Sequence, residues 1–278
     1  MRKRFQILKT LASAAVLAAL CLSGARAGDL AAAAEMLRGA DVAILGEVHD
    51  NAVHHQRQAA LLAALQPKAV VWEMITAEEA AELDPEVLAD AKHVAQALDW
   101  AQSGWPEFSL YAPVFAAAKG ARQYGALMPR AEAARALEQG AAAYFGAEAA
   151  ARFGLDRPLP TAEQAAREGD QLASHCNAMP AEMLPVLVDI QRLRDASLAA
   201  AADRALAETG GPVAVITGNG HARTDRGLAV YLARARPKAR IRSLGQSEDE
   251  QISGTFDLVL DAPAAERPDP CLAFQKRN

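Results

Sequence analysis

The sequence predicts an α/β protein: a mostly parallel sheet flanked by helices, with a large helical cap inserted between its two halves. Three observations lead to this fold class. Short apolar runs typical of buried parallel strands lie at 42–45, 69–74 and 212–218. A helical pattern separates the first two runs, as in a βαβ unit. Between about 76 and 205 strand signals nearly vanish, and Ala, Glu, Gln, Leu and Arg dominate.

The chain begins with the pattern of an export signal. Basic residues 2–4 precede an apolar run at 11–22, and the Ala-Arg-Ala sequence at 25–27 matches a cleavage site. The apolar run is shorter than the ~20 residues that a membrane span needs. We therefore expect a signal peptide at 1–27, cleavage at its end, export to the periplasm, and a single domain over 28–278.

Charge and cysteine content narrow the setting further. A lipid anchor at Cys21 is the alternative to release, but Leu20 is larger than the residue expected just before a lipidated cysteine. The formal net charge of -5 argues against nucleic acid as a partner. Removal of 1–27 makes the chain more acidic, because that segment has basic residues and no Asp or Glu. Cys176 and Cys271 could form a disulfide in an oxidising compartment, and the sequence leaves this open.

The first βαβ unit follows the signal directly. A helix over 29–39 ends at a glycine, and the strand 42–45 comes next. An Asp or Asn at 50–51 can cap the helix 52–65, and the strand 69–74 completes the unit. Strands joined in this way are parallel, and we expect these two to lie side by side with their carboxyl ends together.

The cap is predicted over about 76–205 and consists of helices punctuated by prolines. One segment within it, 122–128, has the character of a weak strand that returns to the sheet. After the cap, strands and helices alternate again, and we place them at 212–218 (strand), 225–234 (helix), 241–245 (strand) and 256–260 (strand). The Pro-rich tail from residue 261 is expected to be ordered only where it docks.

Candidate acid–base and metal-binding residues follow the ends of the first two strands. Glu47 and His49 are two residues apart, so in an extended chain both side chains face the same way. Glu73 ends the second strand, and ligands of open α/β sheets bind beyond such ends. A histidine and a carboxylate can bind a metal, orient each other or exchange a proton. His54 and Gln58 lie one helical turn apart and extend this face.

A second polar stretch follows the third predicted strand. Asn219, His221, Arg223 and Asp225 occupy alternate positions, and the glycines that flank Asn219 let the backbone approach a ligand. The glycine spacing is not GxGxxG, so a dinucleotide is poorly supported. We expect this stretch to meet Glu47 and the residues around it at one edge of the sheet.

Two groups in the cap complete the candidates. Gln191, Arg194 and Asp195 share one stripe of a helix, which is either a solvated face or a face directed at the site. Trp100, Trp105, Phe108 and Tyr111 form an aromatic cluster, for which core packing of the cap is the favoured interpretation. The alternative is a flat apolar surface for a planar ligand, with the Tyr111 phenolate as an iron ligand.

A family resemblance is carried by four segments: ILGEVHDN at 44–51, VWEM at 71–74, QRLRD at 191–195 and GNGHARTDRG at 218–227. Together they resemble the ChaN family of haem-binding, iron-regulated lipoproteins. That family lies in a wider group with the Tiki metalloproteases and the erythromycin esterases, which share a GExxH-like first motif, a strand-end Glu and a late His. Here one residue, not two, separates Glu47 from His49.

The resemblance implies an exported haem-binding protein of haem and iron uptake, with haem as the leading cofactor. It also implies a tyrosine ligand, for which Tyr111 is the candidate, a homodimer around stacked haems, and an outer-membrane haem receptor or other uptake proteins as partners. Tyr, His or Met could ligate the iron. The ligand contacts expected are His54, Gln58, Tyr111, Gln191, Arg194, Asp195, Asn219, Arg223 and Asp225.

The residues themselves keep two other functions open. In a metal-dependent hydrolase, Glu47, His49 and His221 would bind a divalent metal, or would act with Glu73 as acid and base on a water molecule. In a plain interaction protein, the same side chains would only brace the sheet.

Overall fold

We describe a computed structural model of the protein over residues 29–272. The predicted signal peptide at 1–27 and Cys21 lie outside the described residues. Among the helices of residues 29–272, none combines the length and the apolar character required to cross a membrane.

Strands and helices alternate at both ends of the chain, and helices dominate its middle. The strands are β1 (Val42–Glu47), β2 (Ala69–Trp72), β3 (Arg122–Gly125), β4 (Val213–Gly218), β5 (Ile241–Glu248) and β6 (Leu258–Ala262). The helices are α1 (29–37), α2 (Ala52–Leu65), α3 (Ala77–Ala81), α4 (Ala91–Ala97), α5 (Trp100–Ser103), α6 (Phe108–Ala117), α7 (Arg130–Gln139), α8 (Ala141–Phe145), α9 (Ala147–Phe153), α10 (Thr161–Ser174), α11 (Leu184–Thr209), α12 (Asn219–Ala222) and α13 (Leu228–Ala235), with 3-10 turns at Val87–Ala89 and Ala181–Met183.

The predicted α/β class is confirmed, and every strand pair of the six-stranded sheet is parallel. The strand order is β3-β2-β4-β1-β5-β6. The weak strand expected at 122–128 is present as the edge strand β3. One expectation was wrong: β1 and β2 are not neighbours, because β4 lies between them and pairs with both. Local sequence cannot reveal this, since β4 comes from the far end of the chain.

Both faces of the sheet are buried, which explains the nearly continuous apolar character of its strands. Val42 and Ile44 of β1 pack against one helical layer, and Ala43 and Leu45 against the other. Full burial of one such aliphatic side chain stabilises the fold by roughly 1.5–3 kcal/mol. Helices of the predicted cap contribute to both layers. On one face α6 of the cap packs with α2, and on the other face α11 packs with α13.

Ion pairs, backbone hydrogen bonds and a disulfide hold the C-terminal tail against the domain. The Arg267 guanidinium donates to both carboxylate oxygens of Asp50 and of Glu248, at 2.6 to 2.8 Å. A disulfide joins Cys176, just after α10, to Cys271 in the tail. The structure thus settles the pairing that the sequence left open, and it links the cap to the end of the chain.

Candidate functional site

Three strand ends form the floor of the site at the carboxyl edge of the sheet. Glu47 at the end of β1 is in register with Gly218 at the end of β4. The backbone N–H of Glu73, just after β2, donates to the Ile216 carbonyl at 3.1 Å. Glu47 and Glu73 therefore lie on either side of the end of β4. The strands that carry them, β1 and β2, are separated by β4 and do not pair with each other.

Glu47 is a fully buried carboxylate with several donors around it. Its Oε1 accepts hydrogen bonds from the Tyr111 hydroxyl and from Nδ1 of His49, each at 2.8 Å. Its Oε2 lies 3.4 Å from Nδ1 of His55. Burial raises the pKa of Glu47, but the hydrogen bond from His49, the charges of both imidazoles and the Tyr111 hydroxyl outweigh it, so the pKa is lowered. Glu47 is ionised at neutral pH.

His49 is held by Glu47 through Nδ1, and its ring lies against Trp105 with centroids 4.9 Å apart. Burial lowers the pKa of His49, but the hydrogen bond to Glu47 and the charges of Glu73, Glu47 and Asp50 raise it to about 9. His49 is therefore protonated at neutral pH. Its Nε2 lies 3.9 Å from Oε1 of Glu73.

Gly218 gives the His49 ring the space it occupies. A Cβ atom at this position would lie 2.8 Å from Nε2 of His49 and 3.6 Å from Oε2 of Glu73. Such a contact is far shorter than a van der Waals distance, so any larger residue would displace the ring.

Glu73 is the central carboxylate of the cluster. Its Oε2 accepts hydrogen bonds from the Thr217 hydroxyl at 2.6 Å and from the Gly218 backbone N–H at 2.7 Å. Burial raises its pKa, but the charges of His221 and His49 and these two hydrogen bonds lower it to about 2. Glu73 is thus a stable anion that lies between two imidazoles.

His221 mirrors His49 on the other side of Glu73. Its Nδ1 lies 2.7 Å from Oδ1 of buried Asp195 and 3.1 Å from the side-chain nitrogen of Gln191, and its Nε2 lies 3.5 Å from Oε1 of Glu73. Burial lowers the pKa of His221, but the charges of Glu73 and Asp195 outweigh it and raise the pKa. For Asp195 burial has the opposite effect from that on His221, and the pKa of this carboxyl is raised. The structure therefore brings Gln191 and Asp195 of the predicted cap stripe to the site.

The cluster alternates carboxylates and imidazoles in the order Glu47, His49, Glu73, His221 and Asp195. Such a chain can hold protons and pass them between neighbours. A protonated imidazole has no lone pair for a proton from water, so the raised pKa of His49, about 9, opposes a general-base role for this ring at neutral pH. Residues 29–272 contain no group of three or more His, Cys, Asp or Glu arranged to hold a metal ion.

Two predicted ligand contacts brace β1 instead of facing a ligand. His54 is buried, its Nδ1 accepts from the Val48 N–H at 2.9 Å, and its Nε2 faces the Ser247 carbonyl at 3.2 Å. Burial lowers the pKa of His54 to about 4, so the ring is neutral. Gln58 donates to the Leu45 carbonyl at 3.0 Å. These contacts satisfy backbone groups at the end of the strand.

Asn219 is also structural. Its side-chain amide donates to the Gln246 carbonyl at 2.7 Å and accepts from the Gln246 N–H at 3.0 Å, which bridges the ends of β4 and β5. This bridge explains Gly46, where a Cβ would lie 2.5 Å from Oδ1 of Asn219.

A cavity of about 800 Å³ lies beside this cluster, between α10, α11 and the segment after β4. His49 and Asp195 form part of its wall. Its aliphatic wall comes from α11: Leu187, Val188 and Ile190. Its cationic side chains come from α10, α11 and the segment after β4: Arg167, Arg194, Arg223 and Arg226. Arg194 and Arg223, two of the predicted contacts, thus reach one cavity.

The model of one protein family matches residues 33–232 of the chain, and the family is described as haem-binding uptake, Tiki superfamily, ChaN. The chain belongs to this ChaN family. No curated protein matches it significantly.

Three solved structures are similar to this ChaN family member to different degrees. The ChaN protein of Campylobacter jejuni, in a structure of cofacial haem binding, superposes with a TM-score of 0.62 and 22% identity, over 81% of this chain and 88% of that one. The type III effector HopBA1 gives a TM-score of 0.46 at 14% identity, over 81% and 88% of the chains. A Bacillus cereus protein gives 0.38 at 17% identity, over 77% and 67%. The similarity to the Campylobacter jejuni protein shows a shared fold.

The structure does not support Tyr111 as the iron ligand of this ChaN family member. The side chain is completely buried, and its hydroxyl donates to Glu47. Burial and the charge of Glu47 raise the pKa of Tyr111, which opposes the phenolate that iron would need. The surrounding aromatic cluster is core packing, as the favoured interpretation had it: Trp100 lies within 4.9 Å of Tyr111, centroid to centroid.

Four residues of the site lie outside the set of candidates drawn from the sequence. His55 is buried, and its Nε2 donates to the His49 carbonyl at 2.9 Å. Thr217 was hidden within an apolar strand. Arg167 and His175 line the cavity from α10 and the residue after it. Their signal was weak, because polar residues on a cap helix look like any solvated face.

Proposed function

We propose that this chain is an exported protein of haem uptake and that it binds haem in the cavity between α10, α11 and the segment after β4. The observation that carries the proposal is the composition of one wall: aliphatic, cationic and imidazole side chains converge on a single cavity of about 800 Å³. Ligand pockets typically measure roughly 300–1,000 Å³. Family membership makes haem the ligand to test first.

The donor set fits the chemistry of haem. The macrocycle is planar and apolar, and Leu187, Val188 and Ile190 offer an apolar surface. Its two propionates are anionic, and the cavity is rich in arginine. Imidazole is a common ligand of haem iron. The chain has four tyrosines, all within the described residues, and none of them lines this cavity.

His175 would ligate the iron. Its Nδ1 lies 2.8 Å from the Gln171 carbonyl, which only a protonated Nδ1 can satisfy. In the neutral ring the lone pair then resides on Nε2, the arrangement seen in most metal-bound histidines. His49 is the other imidazole of the wall, but it is protonated at neutral pH and its Nε2 faces Gly218 and Glu73.

Titration with hemin tests the proposal. We expect the purified mature chain to produce a Soret band that saturates at a defined stoichiometry. His175→Ala should shift the band and weaken binding, whereas His93→Ala should change neither, because His93 is an exposed residue of α4 away from the cavity. Elemental analysis of the same sample before the titration would detect a bound divalent metal.

Two results would contradict the proposal. Wild-type protein that gives no saturable Soret change is not a haem-binding protein. Wild-type binding that is unaltered by His175→Ala and by substitutions in the α11 wall would place haem elsewhere on the chain.

Export and assembly belong to the same proposal. N-terminal sequencing of the protein from a periplasmic fraction should begin near Gly28. Because this cleavage removes Cys21, mass spectrometry of the mature chain should find no attached lipid. Sedimentation with and without hemin tests the expected homodimer. Recovery with an outer-membrane haem receptor would support the expected uptake partners.

A metal-dependent hydrolase is the less favoured alternative. The family match concerns haem binding, and residues 29–272 hold no group of three or more His, Cys, Asp or Glu arranged around a common metal position. A stoichiometric metal in the untreated protein would revive this alternative.

A further inference from the structure

Positive charge is concentrated in the cavity although the chain as a whole is acidic. The net charge is -5, yet four arginines line this one cavity. Three of them have carboxylate partners. Arg167 binds Glu163 at 2.6 Å. The other two, Arg223 and Arg226, lie beyond β4, and each of them contacts both Asp170 and Asp225.

Arg223 and Arg226 differ in how firmly their partners hold them. Arg223 forms a two-point pair with Asp225, at 3.0 and 2.6 Å, within the same short segment. Arg226 donates to Asp170 at 2.6 Å, and Asp170 belongs to α10, which also lines the cavity. The Asp170 side chain is 55% exposed. Exposed ion pairs contribute little to stability, so a competing carboxylate could replace Asp170 at small cost.

Arg194 is the arginine whose charge is not neutralised. Its guanidinium has no ion-pair or hydrogen-bond partner among residues 29–272, and it lines the cavity from α11, next to Asp195. The side chain is only partly exposed. A partly buried guanidinium without a partner favours an anion, and its planar fork matches a carboxylate.

We propose that the cavity recognises a planar apolar ligand by two carboxylates, one bound by Arg194 and the other bound by Arg226 in place of Asp170. This inference rests on the proposed haem binding and specifies its chemistry: the propionates, not the macrocycle alone, determine affinity. Asp170 occupies the Arg226 position until the ligand arrives, and it ties α10 to the segment after β4 meanwhile.

Parallel titrations with hemin and with hemin dimethyl ester test this inference, because the ester keeps the iron and the macrocycle but has no propionate charge. Wild-type protein should bind hemin at least about ten-fold more tightly than the ester. Arg194→Gln and Arg226→Gln should each weaken hemin binding by about ten-fold and leave ester binding unchanged. Arg194→Lys should recover part of the loss, since it keeps the charge without the fork.

Two further variants sharpen the test. Asp170→Asn should strengthen hemin binding by up to about five-fold, because the competing carboxylate is gone. Arg204→Gln is the matched control: Arg204 is an exposed arginine of the same helix, it packs on Tyr124, and it lies outside this cavity. It should leave both titrations unchanged. Circular dichroism on every variant verifies the fold.

The outcomes separate the two levels of the proposal. Equal wild-type affinity for hemin and its ester would overturn the carboxylate inference while haem binding stands. The carboxylate inference would also be overturned if Arg194→Gln lost as much affinity for the ester as for hemin. Weaker hemin binding by Asp170→Asn would overturn it as well. Failure of wild-type protein to bind either compound would overturn both the inference and the proposed function.

Discussion

Tyr111 and Glu47, which are 64 positions apart in sequence, share a hydrogen bond of 2.8 Å inside the core. The bond joins α6 of the cap to the end of β1. It converts a tyrosine that the sequence offered as an iron ligand into a donor that stabilises a buried carboxylate. The charged state of the whole cluster depends on that carboxylate, because Glu47 in turn orients His49.

Tyr111→Phe should leave the Soret band of the hemin complex unchanged and lower the free energy of unfolding. A hydrogen bond to a charged group contributes roughly 1.5–3 kcal/mol, and the phenylalanine keeps the packing but not the donor. Urea unfolding measures the loss, and a hemin titration at saturating protein measures the spectrum. A shifted Soret band in a folded variant would restore Tyr111 as the ligand.

The stability of the protein should decline above neutral pH because of His49. Its folded pKa is about 9, above the ordinary value of 6.5, so the folded state binds the proton more tightly than the unfolded state. This contribution is complete below about pH 6.5 and disappears as the pH rises through about 9. Unfolding midpoints measured from pH 6 to pH 10 should therefore fall, roughly over that interval.

His49→Gln provides the comparison for this pH dependence. The variant should be less stable at neutral pH, and its stability should fall less between neutral and alkaline pH. An NMR titration of the His49 ring gives the pKa directly. A measured value at or below the ordinary one would contradict the proposed charge state of the cluster.

Gly218→Ala should displace the His49 ring. The added Cβ would lie 2.8 Å from Nε2. The ring is held in place by its hydrogen bond to Glu47 and by its contact with Trp105. Overpacking of this kind costs typically 1–3 kcal/mol. Gly120→Ala is the matched control, because nothing lies within 4 Å of a Cβ built there. Equal stability of the two variants, with unchanged His49 resonances, would be inconsistent with the described packing.

Removal of the disulfide by the double substitution Cys176→Ser and Cys271→Ser should cost about 2–5 kcal/mol. The two cysteines are 95 positions apart, so the cross-link restricts a long loop of the unfolded chain. Thermal unfolding with and without a reductant measures the effect. The wild-type protein should lose stability on reduction, whereas the serine variant should be indifferent to the reductant; sensitivity of both would mean that the reductant acts elsewhere.

The strands were predictable because burial on both faces makes them short apolar runs that end where polar chemistry begins. Val42 to Leu45 and Val213 to Ile216 are such runs, and each is a strand of the sheet. The order of the strands was not predictable, because β4 enters between β1 and β2 from more than a hundred residues away. Proximity along the chain suggested the wrong neighbour for Glu73.

The site residues divide in the same way. Glu47, His49, Glu73 and His221 are prominent in the sequence because titratable residues directly follow apolar strands. His54 and Gln58 are polar residues of the helix that follows β1, and they bond backbone groups at the end of that strand. A polar residue that faces a ligand and one that bonds a nearby backbone group look the same in a helical pattern, and only the position of the receiving carbonyl or N–H distinguishes them.

The sequence by itself determined the α/β class of the protein, its membership of the ChaN family, and the location of the polar cluster at the strand ends. These depend on local periodicity and on motifs that persist whatever the packing. Tertiary structure alone decided that Tyr111 is a buried donor, that Cys176 and Cys271 pair, and that Arg194 lines a cavity without a carboxylate partner among residues 29–272. The reason is physical. Charge state and ligand access depend on burial and on partners that are distant in sequence, and both are established only when the chain packs into its tertiary structure.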